Sequence, residues 1–176
     1  MTTDDVPWLS RDQLRAWLKL VAVMERLPAV LDRQLQQDAD LTHFDYMVIA
    51  MLSETPGRSL RMSTLAATTT ASLPRLSHVV SRLAKRGLVT RSPSPEDGRA
   101  TDVRLTDAGW DAIVAAAPQH VRTARHHVFD VLTDEQVGQL DTIMRALLDR
   151  LDPESRFTPL VDPDAREQAF APARLQ

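Results

Sequence analysis

An α-helical chain carrying one small β-hairpin is what this sequence predicts, on three observations. Residues 72–88, SLPRLSHVVSRLAKRGL, have the period of an amphipathic helix with a cationic outer face. The pattern then switches to alternation on either side of a turn-rich segment, SPSPEDGRA, at 92–100. Long helical patterns flank this middle region, and their apolar stripes need more cover than the chain itself supplies.

The 72–88 segment organises the rest. At 3.6 residues per turn, Leu73, Leu76, Val79, Val80 and Leu83 fall on one face, and Pro74, Arg75, His78, Ser81, Arg82 and Lys85 on the other. Ser72 is placed to accept from a free first-turn N–H, and Pro74 sits where a missing N–H costs little. Gly87 suits a left-handed C-cap, with Lys85 and Arg86 beside the negative end of the helix dipole. Such a helix fits a DNA major groove, base edges near its start and phosphates near its end. The same pattern alone also describes an ordinary surface helix.

Charge distribution favours the groove. The 176 residues carry a net charge of −3, yet residues 58–104 hold nine Arg/Lys against three acids, leaving the remainder at −9. A basic field on an acidic body is the footprint of a DNA-binding module joined to a module of another kind. Cysteine is absent, which excludes disulfides, thiolate–zinc sites and thiol redox sensing. Asp4 and Asp5 stand where a signal peptide would be basic, and no apolar run reaches the ~20 residues of a membrane span, so a cytoplasmic location is expected.

In chain order, Ser10 and Gln13 form a capping-box pair opening a helix to about Asp38, with Leu14, Trp17, Leu18, Val21 and Met24 in one stripe. Pro28 is expected to kink or break it. Thr42 caps a second helix with Asp45 at its third position, and Pro56-Gly57 ends that element. A short helix from Met62 to Thr68, with Leu65 and Ala66 inward, leads through a polar turn to Ser72. Two short helices joined this tightly make a helix-turn-helix. Leu88–Arg91 and Thr101–Leu105 read as strands around the Asp97-Gly98 turn. The hairpin makes the unit a winged helix, with Arg99 at the tip for a minor groove. Alternatively, Asp97 and Arg99 only pair with each other. Thr106 caps a helix that meets Pro118 and resumes, and Thr133 with Gln136 opens a last one bearing Val137, Leu140, Ile143, Met144, Leu147, Leu148 and Leu151. From Pro153 onward the proline-rich tail reads as irregular.

The stretch LRMSTLAATTTASLPRLSHVVSRLAKRGLVTRSPSPEDGRATDVRLTDAG, residues 60–109, resembles the multiple antibiotic resistance regulator (MarR) family. RLAKRGLV, Asp97-x-Arg99 and LTDAG carry the likeness most specifically, and the flanking helices extend it to about residues 8–151. The resemblance implies a winged helix-turn-helix with long N- and C-terminal dimerisation helices, a homodimer on a pseudo-palindromic double-stranded DNA, and repression relieved by a small aromatic or anionic effector. It places DNA contacts on Ser72, Leu73, Pro74, Arg75, His78, Arg82, Lys85, Asp97 and Arg99. An effector cleft would be lined by Trp17, His43, Tyr46 and Met47, which could equally be core and interface residues. Thr70 departs from the family in replacing a common turn glycine, and Gly98 in replacing a second arginine.

The expected division is 1–38 N-terminal dimerisation region, 39–106 DNA-binding domain, 107–152 C-terminal helices and 153–176 tail. The five histidines include His120 and His127 on one helix face, but no carboxylate stands at ligand spacing, so neither metal nor cofactor is expected. No nucleophile triad or phosphate loop appears, which argues against an enzyme. The remaining alternative is a helical protein–protein adaptor whose basic patch meets an acidic partner; only DNA binding predicts steep salt dependence with a preferred site.

Overall fold

The computed structural model describes residues 6–95 and 97–153; all but the first residue of the expected irregular tail lies outside them. The order is α1 (Arg11–Ala39), α2 (His43–Glu54), a 3-10 turn (Pro56–Arg58), β1 (Ser59–Arg61), α3 (Met62–Thr68), α4 (Leu73–Lys85), β2 (Val89–Pro93), β3 (Thr101–Leu105), α5 (Asp107–Ala124), a π turn (Arg125–Phe129) and α6 (Asp134–Leu151). The sheet is antiparallel in the order β1-β3-β2, with Val89 opposite Leu105 and Leu60 opposite Val103. Strand β1 was not legible beforehand, because three residues are too few to set a period. Strand β2 also begins one residue later and ends two later than its pattern predicts, since pairing to β3 carries it to Pro93 opposite Thr101.

The expected caps at Ser10, Thr42, Ser72, Thr106 and Thr133 all form, three of them as reciprocal capping boxes. Pro28 does not break α1, which runs unbroken from Arg11 to Ala39. Its lost hydrogen bond falls on an exposed face, while Leu31, Gln34 and Leu35 bury the turns below and hold the helix through it. Pro118 is likewise carried within α5. The core gathers Leu35 from α1, Leu41 from the α1–α2 connection, Val48, Ile49 and Leu52 from α2, Leu65 from α3, Leu76, Val80 and Leu83 from α4, Val89, Val103 and Leu105 from the sheet, and Ile113 from α5.

Two glycines fix how α4 meets the wing. Gly87 takes φ +74°, the left-handed value, so that its own N–H reaches Ala84 O and the Leu88 N–H reaches Leu83 O, closing the last turn of α4. At Gly109 a Cβ would stand 2.1 Å from the carbonyl oxygen of Leu88, so α5 can approach the first wing strand only without a side chain. Thr70 adopts φ +47°, which explains why a glycine is favoured at that turn and what its absence costs in strain.

Candidate nucleic-acid interface

The candidate surface is the outer face of α4. Leu76, Val79, Val80 and Leu83 are buried against the core, while Ser72, Pro74, Arg75, His78, Arg82 and Lys85 are exposed. Leu73 corrects its expected place on the apolar stripe. It is 52% exposed, because it opens the helix one turn ahead of Leu76, the first residue the core reaches. Its side chain therefore stands among the open residues of the first turn.

The arginines of α4 are not loose. Arg75 lies with its guanidinium carbon 4.4 Å from the centre of the Phe44 ring. Arg82 Nη2 donates to Asp45 Oδ1 at 2.6 Å, and Arg86 pairs with Asp40 Oδ2 at 3.3 Å. On the other flank Arg91 Nη1, from β2, donates to Ser81 Oγ at 3.2 Å. Thr106 ties the wing base to the end of α4: its hydroxyl donates to Gly87 O at 2.7 Å, and its N–H to Leu88 O at 3.1 Å.

At the wing tip, Asp97 Oδ1 accepts from the backbone N–H of Arg99 at 3.0 Å, and the Ala100 N–H donates to Asp97 O. Asp97 is thus engaged in shaping the turn, and the Arg99 side chain is exposed. Both the wing tip and the outer face of α4 thus present exposed cations.

Beneath this surface, α1, α2 and α5 meet at a histidine cluster. The His120 ring lies 4.3 Å from that of Tyr46 and 5.9 Å from that of His43, and His120 Nδ1 is 3.2 Å from Gln34 Oε1. The buried Gln34 donates in turn to Asp38, and the His43 backbone N–H donates to Asp32 Oδ1 at 2.8 Å. Burial pulls both imidazoles below their ordinary range; nearby Asp32 partly offsets this for His43, whereas His43 lowers His120 further. His43 and Tyr46 are brought together, with Met47 half-buried on the same helix. Trp17 is not: it is exposed on α1, about 22 Å along the helix from Asp32. Helical spacing could place Trp17 on a stripe but not at a depth. His120 joins the cluster instead, while His127 packs against His126 within the π turn, which interrupts the face the two were expected to share. Among the described residues no group of three or more His, Asp or Glu is placed to hold a metal ion.

Phe44, Asp45, Asp40, Ser81, Arg91 and His120 are the participants that sequence reasoning missed. Asp45 was legible only as a cap, because its partner Arg82 lies 37 residues away.

A helix-turn-helix with its cationic face open and a hairpin beside it defines a winged-helix DNA-binding protein. The family model described as MarR family matches residues 39–100. The chain is 30% identical over 133 residues to the HTH-type transcriptional repressor IacR of Pseudomonas putida, spanning 76% of this chain and 77% of IacR. Sco3205, a MarR family transcriptional regulator from Streptomyces coelicolor solved in complex with DNA, superposes with a TM-score of 0.80 at 40% identity, covering 83% of this chain and 95% of Sco3205. AbsC, a MarR family transcriptional regulator from the same organism, gives 0.78 at 34% identity over 83% of this chain and 98% of its own. The chain belongs to the MarR family and is a DNA-binding transcription regulator. That sets the adaptor alternative aside.

Proposed function

We propose that the protein is a homodimeric repressor of a pseudo-palindromic operator. Each lobe lays Ser72–Lys85 in a major groove and Arg99 in the flanking minor groove, the half-sites about 10 bp apart. The observation that carries this is the division of α4 into a buried stripe, Leu76-Val79-Val80-Leu83, and an open cationic face next to the wing. Ser72, Leu73, Pro74, Arg75 and His78 meet base edges; Arg82 and Lys85 meet phosphates; Asp97 holds the tip that presents Arg99. With Leu73 and Pro74 offering no side-chain donors, direct readout rests on Arg75 and His78, and DNA deformability supplies the rest. Repression is supported by the name of the relative IacR.

The test is fluorescence anisotropy on the DNA upstream of its own gene, titrated with salt and with random competitor. Tight, salt-steep binding that survives competitor is expected; weak binding indifferent to sequence would overturn the reading. Arg75→Ala should cost ~1–3 kcal/mol on the operator and relax base preference; an equal loss on random DNA would reduce Arg75 to a phosphate contact. Arg99→Ala should weaken binding and leave the dimer intact, and unchanged affinity would retire the wing arginine.

A second reading has its own observation, the half-buried cluster of His43, Tyr46 and His120. A small aromatic or anionic effector seated there, near Met47, would release DNA by favouring a lobe spacing that misses one half-site. Benzoate-class probes should lower operator affinity in wild type and not in His120→Ala; equal effects on both would place the ligand elsewhere.

A further inference from the structure

The first turn of α2 faces two ways. His43 and Tyr46 turn toward His120, and the two residues between them turn toward the recognition helix. Arg75 and Arg82 of α4 and Arg86, which caps it, are spaced seven and four apart, which puts them in one stripe along the flank nearest α2. Each meets the α1–α2 corner: Arg75 on Phe44, Arg82 on Asp45, Arg86 on Asp40.

We infer that Phe44 and Asp45 are positioning residues for DNA recognition, aiming the guanidinium groups of Arg75 and Arg82 before DNA arrives. The geometry of the contacts carries this. The Arg75 guanidinium carbon sits over the face of the Phe44 ring, a contact that orders the side chain without being a hydrogen bond and so spends none of the N–H donors that would read a guanine. Asp45 is 2% exposed, and both its oxygens are used: Oδ1 accepts from Arg82, and Oδ2 from the Thr42 N–H at 3.0 Å. A carboxylate buried this deeply needs its cation, so Arg82 stays in place. Among the described residues the pair with Asp45 uses Nη2, and the half-exposed remainder of the guanidinium is left for a phosphate. Ordering two long flexible side chains thus falls on folding, not on binding.

The inference rests on α4 being the groove element. Arg75→Ala tests that reading separately: operator binding that ignores Arg75 would fail the groove assignment itself, whatever Phe44 does. The positioning test uses the full chain, a labelled duplex from the upstream region and a random duplex of equal length, at several salt concentrations. Phe44→Leu should weaken the upstream duplex about fivefold and leave the random one nearly unchanged, and Phe44→Trp should restore it. Asp45→Asn keeps an oxygen for the Thr42 N–H and removes the charge that holds Arg82; because Arg82 meets a phosphate, about tenfold loss on both duplexes is expected. Arg82→Lys, which keeps the ion pair and loses the planar fork, should reproduce that loss if Asp45→Asn proves too unstable to assay. Asp45→Asn that binds random DNA more tightly, with the salt slope raised by about one, would overturn the inference, because Asp45 would then merely neutralise a phosphate contact. An unchanged preference for the upstream duplex in Phe44→Leu would overturn it for Arg75.

Discussion

The middle and the ends of this chain solve the problem of burial differently. In the winged-helix unit each apolar stripe has a partner within the protomer: Leu76, Val80 and Leu83 of α4 close on Leu65, Val89 and Val103. Helix α6 has no buried residue at all, and Ile143, Leu147 and Leu151 are 54%, 39% and 78% exposed. The first half of α1 is similar, with Leu14, Trp17, Leu18 and Met24 all exposed. A contiguous apolar surface of this kind marks a protein interface. The lesson is that the winged-helix unit buries its stripes in one copy, whereas the terminal helices leave apolar faces open that the proposed second copy would cover.

The strongest way to break that comparison is at α6. Ile143→Asp with Leu147→Asp should abolish the dimer, so that sedimentation reports a mass near 19.7 kDa instead of twice that. A dimer that survives would move the interface off α6. Next comes the seam between the two regions. Gly109→Ala drives a Cβ into Leu88 O and should cost ~1–3 kcal/mol in urea unfolding, with the wing displaced; a neutral result would mean that α5 can back away from the sheet. The smallest effect belongs to the histidine cluster. His43 and His120 titrate lower when folded than when unfolded, so the unfolded chain takes up protons first as pH falls. Their contribution is intact above the unfolded value of about 6.5 and is lost as pH drops through the lowered folded values. Urea melts between pH 7.5 and 5.5 should show this decline, and His120→Gln should flatten it.

Local structure was legible because its signals are local. A serine or threonine with Gln or Asp three residues on announced α1, α2 and α6, and the Asp97-Gly98 turn announced the wing. Where sequence reasoning failed, a tertiary term outweighed a local rule. Pro28 is expected to kink or break a helix, but burial of Leu31 and Leu35, one and two turns on, keeps α1 continuous. Leu73 has the period of a core residue and stands beyond the core's edge. The α4 site was visible as a list of residue types. What the list could not contain was which cations are already held, since the pairs Arg75–Phe44 and Arg82–Asp45 bridge 31 and 37 residues of chain and leave no spacing to detect.

The ties between α4 and the wing have a mechanical consequence. Arg91 bound to Ser81, and Thr106 bound to Gly87 and Leu88, rivet the wing to both ends of the second half of α4. Helix and hairpin therefore travel as one jaw. In the proposed dimer a signal reaching the lobes has no wing to fold back and no helix to retract, and the gap between two rigid jaws is the quantity left to adjust. Such a device is a calliper: it gauges the distance between half-sites, and a change of setting loosens its grip on both grooves of a half-site together.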